Sequence, residues 1–304
     1  MNKEKCIVCG QTQLDNVFEI QRPDFSRPVG IVVCRNCGFI FQSVGLTQQE
    51  TALYYNREYY QRQTSFLEKM LVLFLEWLVA IEIGKNRSGG LILDIGCGEG
   101  NFLNSMKRNG WRTFGIDTSA VACEVATKKL GNDAVVLNKN LEDCGFADNY
   151  FDVVTLWHVL EHIENPDRLL TEIRRILKPN GMLVVEVPNL SSPVFKLTKQ
   201  GYFSFDDPTH LYHFSAKTLN KLIEKNGFSF KKRGCTTFNI VLSLFTSISR
   251  RLYYRDKINS KVIRSLVFVV LFPLLTILTL IFGFLTLIRP LGSVLRFYYS
   301  NNQK

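Results

Sequence analysis

The segment Leu93-Asp94-Ile95-Gly96-Cys97-Gly98-Glu99-Gly100 constrains this chain more than any other. A short apolar run, Leu91–Ile95, delivers Asp94 into a turn holding three alternating glycines. A helical pattern, Asn101–Asn109, follows and is closed by Gly110. Glycine tolerates positive φ and lets backbone approach a ligand closely. The strand–helix alternation then continues. Arg112–Asp117 reads as a strand, and Ser119 can cap a helix ending near Leu130. Ala134–Leu137 and Phe151–Leu156 read as further strands, the latter apolar on both faces, as in buried parallel sheets. Pro166–Leu177 reads as a helix stopped by Lys178-Pro179-Asn180-Gly181, and Met182–Val187 as a strand ended by Pro188. Such alternation predicts an α/β fold, a parallel sheet with helices on both faces. Ligands in such sheets lie outside the carboxyl ends of the strands.

A bare GxGxG is weak evidence, because a structural turn can produce it. Here a second strand ends at Asp117, about 20 residues on, where a carboxylate can hold both hydroxyls of a ribose. The nicotinamide fingerprint GxGxxG competes for the region, but position 101 is Asn and the pattern is GxGxG. An adenosine carrying a short amino-acid arm fits such a turn and needs no pyrophosphate site.

LDIGCGEGNFL, the GID ending at Asp117, FDVVTLWHVLEHIENPDRLLTEIRRILKPNGMLVVEVPN and the later DPTHLYHFS together resemble the class I S-adenosylmethionine-dependent methyltransferases over about residues 89–235. Within these they are most similar to the branch of ubiquinone-biosynthesis O-methyltransferases and bacterial glycan-cluster methyltransferases. The resemblance implies a Rossmann-like, mostly parallel, seven-stranded sheet that binds S-adenosyl-L-methionine. It implies that Asp94, Gly96 and Gly98 line the methionine side of the cofactor, with Phe102 in the following helix. Asp117 would hold the ribose, Thr118 would lie beside the adenine, and Leu141 and Glu142 would sit on the adenine-side loop. Trp157 and His158 would face the sulfonium.

All four histidines fall in two motifs, His158 and His162 in WHVLEH and His210 and His213 in THLYH. Methyl transfer to oxygen benefits from a base that takes the acceptor proton, and imidazole suits that near neutral pH. His158, His210 and His213 are therefore the candidate catalytic residues. Two other readings stay open. A divalent ion held by His158, Glu161, His162 and one later His would acidify the hydroxyl instead, as a similar set does in the small-RNA 3′-terminal 2′-O-methyltransferases. Alternatively, Glu161 and His162 only orient the loop after them.

Of eight cysteines, four form CxxC-x24-CxxC: Cys6, Cys9, Cys34 and Cys37, with Gly10 and Gly38 after the second thiol of each pair. Two such knuckles can surround a tetrahedral Zn²⁺ within a small ribbon. Redox chemistry at a CxxC dithiol is the alternative. The N-terminus shows no apolar signal region, so reduced thiols and metal are expected rather than disulfides. Sugar C-methyltransferases of antibiotic pathways begin with a similar ribbon.

The formal charge of +10 is local: residues 217–264 carry twelve Lys or Arg against Glu224 and Asp256. A nucleic-acid reader more often carries such charge on its folded recognition surface; beside an apolar run it suggests anionic lipid. That run is Ser265–Ile288, 24 residues without a charge and long enough to span a bilayer. Pro273, Gly283 and the later Arg289 and Arg296 leave a re-entrant helix open, and a buried hairpin is the bland alternative. The expected organisation is a zinc ribbon over 1–42, a helical connector over 43–88 with an amphipathic helix at Phe66–Ile83, and the methyltransferase domain over 89–235. A basic juxtamembrane segment over 236–264, a membrane helix over 265–288 and a short tail over 289–304 complete it.

The expected protein is a methyltransferase tethered to the cytoplasmic face of a membrane by its C-terminal segment. It would act on a hydroxyl of a sugar, glycan precursor or lipid-linked saccharide, with membrane lipids as partners. A quinone or lipid O-methyltransferase is the alternative enzyme. A non-catalytic membrane scaffold or RNA adaptor is the non-enzymatic alternative.

Overall fold

A computed structural model describes residues 4–20, 28–45, 76–84, 89–199, 202–205, 207–234 and 292–303. In chain order its elements are strands β1 (Leu14–Ile20), β2 (Val29–Cys34) and β3 (Ile40–Gln42), helix α1 (76–84), β4 (Leu91–Ile95), α2 (Asn101–Arg108), β5 (Arg112–Ile116), α3 (Ala120–Leu130), β6 (Val135–Leu137), β7 (Phe151–Trp157), α4 (Pro166–Ile176), β8 (Leu177–Pro188), α5 (Pro193–Thr198), β9 (Tyr212–His213), α6 (Ala216–Lys225), β10 (Phe228–Arg233) and β11 (Val294–Asn301).

The large sheet has seven strands in the order β10-β11-β8-β7-β4-β5-β6. β4 is central and runs parallel to β5 and β7, with Asp94 opposite Gly115 and Thr155; β5 in turn runs parallel to β6. Buried on both faces, β4 and β7 are apolar throughout most of their length, as the alternation required. Local signals set the helix ends. The Ser119 hydroxyl caps α3 by accepting from Ala122 N at 3.2 Å, and Asn165 caps α4 through Arg168 N with Pro166 in the first turn. The core under the glycine turn comprises Ile92, Phe102, Leu103, Met106, Trp111 and Val153, joined by Val79, Ala80 and Ile83 of α1. The described part of the expected Phe66–Ile83 helix packs on this core through Val79, Ala80 and Ile83, while Trp77 and Leu78 are exposed, so its outer face is not the polar one expected; residues 66–75 lie outside the described residues.

The chain divides into two compact units. One comprises residues 47–185, 223–231 and 298–304; the other comprises 1–46, 186–222 and 232–297. The second unit holds an antiparallel sheet of order β1-β2-β3-β9, in which His213 pairs with Ile40 and Tyr212 with Phe41. The cysteine ribbon is therefore extended by the THLYH motif, a pairing that spacing along the chain did not reveal. Val29, Ile31, Leu190, Val194, Tyr202 and Phe205 form a core here.

The C-terminal expectation needs correction. Among the described residues no helix is long and apolar enough to cross a membrane. Ser265–Ile288 and the basic segment 236–264 lie outside the described residues, so an anchor at the cytoplasmic face has no support. The residues beyond that run are not a short tail: Val294–Asn301 is a strand of the large sheet, with Leu295, Phe297, Tyr298 and Tyr299 buried. It runs against β8, since Asn189 N donates to Ser293 O while the Asn301 side chain donates to Leu177 O. It also runs against β10, with Gly234 N donating to Arg296 O and Asn302 bonded to Ser229. A strict strand–helix reading ended the domain at residue 235 because the completing strand comes from some sixty residues later.

Candidate functional site

β4 ends by turning sharply through Gly96, Gly98 and Gly100, all at positive φ. Gly96 N and Cys97 N both donate to Ile116 O, at 2.8 and 3.0 Å, which fastens the turn to the end of β5. A Cβ on Gly96 would lie 2.4 Å from Val159 Cγ2, whereas one on Gly98 would meet nothing within 4 Å. Gly96 is thus a packing glycine, and Gly98 borders open space. Asp117 follows β5 directly. Its Oδ2 accepts from Gly98 N at 2.9 Å and its Oδ1 from Ser119 N at 2.8 Å. A carboxylate has about four lone-pair sites, so each oxygen retains capacity for a further donor. Two ribose hydroxyls beside open space at Gly98 fit that capacity, and so the residues present fit S-adenosylmethionine.

Asp94 is buried at the end of β4 and accepts from the Thr155 hydroxyl at 2.6 Å. Burial raises its pKa to about 8; the Thr155 bond opposes this, and the charges of Glu76 and Asp117 add to it. Loss of hydration penalises the carboxylate more than one hydroxyl can repay. Cys97, buried in the same turn, has its thiol pushed up by burial and by Asp94 and Asp117. Phe102 is buried on α2 and meets Trp157 edge-on, with ring centroids 4.9 Å apart. Thr118 is exposed. Leu141 is buried in a single 3₁₀ turn, Leu141–Asp143, while the Glu142 carboxylate pairs with Arg168 at 3.2 Å on the surface.

His158, after β7, is exposed and takes a left-handed φ of 54°. Its Nδ1 lies 3.3 Å from Oε1 of the buried Glu161. Where Glu161 is ionised its oxygen only accepts, which would place the His158 proton on Nδ1 and leave Nε2 as the basic nitrogen. His210 and His213 are buried in the other unit, bridged by Ser204: its hydroxyl is 3.1 Å from His210 Nδ1 and 3.2 Å from His213 Nδ1. His210 Nδ1 also lies 2.8 Å from the Ser204 carbonyl oxygen, which can only accept. His210 therefore carries its proton on Nδ1. The Ser204 hydroxyl can then accept from His210 and donate to His213 Nδ1, giving the two rings opposite tautomers. Asp207 Oδ2 is 3.9 Å from His210 Nε2.

The cysteines come together as their spacing implied. Cys6 Sγ is 3.5 Å from Cys37 Sγ, Cys9 Sγ is 3.5 Å from Cys34 Sγ, and all four sulfurs lie within 4.8 Å of one another. The two knuckles repeat one backbone pattern. Gly10 N donates to Cys6 O and Gly38 N to Cys34 O, with both glycines at positive φ. Thiolates 2.3 Å from a tetrahedral Zn²⁺ stand about 3.8 Å apart, so this set fits zinc.

Sequence reasoning did not find Glu76, Thr155, Ser204 or Asp207. Their signal is faint: Glu76 is a carboxylate within an apolar helical run, Ser204 lies outside the motifs, and Thr155 and Asp207 lie within them without a spacing that marks them.

A glycine turn hydrogen-bonded to the carboxylate that closes the next strand defines a nucleoside-binding α/β domain. Residues 60–231, more than half of the chain, match the family described as "Methyltransferase domain". The chain belongs to this family, and that region is an S-adenosylmethionine-dependent methyltransferase domain. It is 43% identical over 104 residues to the mitochondrial ubiquinone biosynthesis O-methyltransferase of Schizosaccharomyces pombe, covering 32% of this chain and 38% of that protein. It is 28% identical over 176 residues to the ubiquinone/menaquinone biosynthesis C-methyltransferase UbiE of Hydrogenovibrio crunogenus, covering 49% of this chain and 69% of that one. Among solved structures, the [4+2]-cyclase SpnF matches with a TM-score of 0.51 at 18% identity, over 80% of this chain and 85% of its own. That likeness concerns the fold alone; a cyclase on it means that fold does not set the reaction.

Proposed function

We propose that the chain transfers a methyl group from S-adenosylmethionine to a small-molecule acceptor of the quinone-precursor type. The observation that carries the cofactor half is the Asp117 carboxylate, bonded to Gly98 N and Ser119 N with lone pairs to spare beside open space. Asp117 would hold the ribose, Asp94, Gly96 and Gly98 the methionine end, and Thr118, Leu141 and Glu142 the adenine side. Phe102 and Trp157 would wall the pocket. When bound, the cofactor supplies an electrophilic methyl on a positive sulfur. This chain's residues orient the acceptor and take its proton. A proton on Nδ1 of His158 would present its Nε2 as the acceptor nitrogen, which supports it as the base; His210 holds its proton on Nδ1 with Nε2 turned toward the Asp207 carboxylate, which favours a hydrogen-bonding role for it. His213 would likewise supply a hydrogen bond.

The acceptor class rests on the relatives named for quinone biosynthesis. The sugar- or glycan-hydroxyl expectation rested on the family resemblance together with a membrane tail, and the described residues supply no membrane-spanning helix. Incubation with methyl-labelled cofactor and demethylated quinols, set beside sugar nucleotides, tests the choice by mass spectrometry. Label in the quinol supports it, and label only in the sugar overturns it.

We further propose a structural Zn²⁺ on Cys6, Cys9, Cys34 and Cys37. Four thiolates close its coordination shell, so it would hold the ribbon together rather than meet substrate. Elemental analysis of the purified chain should find one zinc per molecule, lost in Cys34→Ser together with thermal stability.

A further inference from the structure

We infer that Glu76 of α1 is the residue that receives the α-ammonium group of the cofactor's methionine arm. The inference rests on the S-adenosylmethionine reading above and adds to it a ligand that the glycine-turn motifs do not contain. Glu76 is only half-buried as a residue, but its Oε2 is sealed from solvent and has no hydrogen-bond partner among the described residues. Its charge acts on Asp94, the residue placed at the methionine end. Burial holds its own carboxyl up at about 7, with only the Lys129 charge opposing that. Lys129 does not satisfy it: that ammonium bonds Asn101 Oδ1 and lies 3.5 Å from Glu99 Oε2.

A sealed carboxylate oxygen without a donor is costly, and such orphans in native folds mark a missing ligand or a functional group. The missing partner must bring both positive charge and N–H. A sulfonium has the charge but no hydrogen to donate, whereas an ammonium offers three N–H donors. Among the parts of S-adenosylmethionine, only the α-ammonium meets both needs. Burial holds both Asp94 and Glu76 above the ordinary carboxylate range, and a cationic arm bound between them would favour their ionised forms.

Isothermal titration of the full chain with S-adenosylmethionine and with S-adenosylhomocysteine tests this. The second ligand keeps the ammonium and lacks the sulfonium charge. Glu76→Gln should weaken both by a similar factor, about 10- to 100-fold, the loss of one charge-assisted hydrogen bond. Its ligand-free melting temperature should not fall, because a buried unpartnered charge has been removed. Proton release on binding at pH 7, read in two buffers of different ionisation enthalpy, should also drop in the variant. Equal affinity of wild type and Glu76→Gln would overturn the inference, as would a loss confined to S-adenosylmethionine. Should Glu76→Gln fail to fold, Glu76→Asp carries the same comparison with a shortened reach. A wild-type chain that binds neither ligand overturns the cofactor reading itself, and this inference with it.

Discussion

Replacing Gly96 by alanine separates packing from ligand contact within a single turn. At φ +71° an L-residue costs roughly 1–2 kcal/mol. The new Cβ would also sit 2.4 Å from Val159 Cγ2, and forcing a methyl into a packed site costs about 1–3 kcal/mol more. The expected destabilisation is therefore about 2–5 kcal/mol. At roughly 2–4 °C per kcal/mol for a domain of this size, the melting temperature should fall by about 4–20 °C. Gly98→Ala is the control. Its φ of +50° carries the backbone cost alone, roughly 1–2 kcal/mol, since no atom lies within 4 Å of the added Cβ. Its melting temperature should fall by only about 2–8 °C, yet it should bind S-adenosylhomocysteine poorly, because its methyl fills the open space. Introducing Val159→Ala into Gly96→Ala removes the clashing methyl and should recover about 1–3 kcal/mol relative to Val159→Ala alone. Thermal melts followed by circular dichroism, with titration calorimetry, read the four variants beside wild type. A Gly96→Ala melting temperature within a degree of wild type, or no recovery with Val159→Ala, would refute the packing argument.

Asp94 links the site to pH. Its folded value, about 8, lies above the ordinary carboxylate value of 3.8, so the folded chain holds this proton more tightly than the unfolded chain. The ligand-free protein should lose stability as pH rises from about 4 through 8 and level off above that; Asp94→Asn should flatten the loss in melts across this range. Ser204→Ala should remove the bridge that fixes His210 and His213. With four histidines in the chain, ¹⁵N shifts of the imidazoles resolve each ring; opposite tautomers in wild type, retained in Ser204→Thr, are expected, and identical tautomers would refute the Ser204 bridge. Removing residues 294–304 should leave the large sheet incomplete and the protein insoluble; a well-folded product would contradict the burial of Phe297, Tyr298 and Tyr299.

The strand–helix units around the glycine turn were legible because each obeys local rules. Leu91–Ile95 is bounded as its pattern implied, Ser119 caps its helix, and Asp117 ends its strand against the turn. The cysteine spacing likewise foretold the cluster. What local rules could not reach were contacts made by distant segments. Nothing near Tyr212 announces that it will pair with Phe41, and nothing near Val294 announces that it completes a sheet begun two hundred residues earlier. Ser265–Ile288 invited a membrane reading because hydrophobic length was weighed there without the strand that follows it. Glu76 was hidden because one carboxylate in an apolar run looks like the solvent face of a helix.

The late arrival of β11 has a consequence for biosynthesis. β8 and β10 are made well before the strand that lies between them, with about sixty residues still to be translated. At ~5–20 residues per second that interval lasts roughly 3–12 s, during which β8, apolar over most of Met182–Val187, stands without its neighbour. A nascent chain stalled in that window is exposed to edge-to-edge association, and a holdase bound there would have to let go only once Val294–Asn301 has left the ribosome.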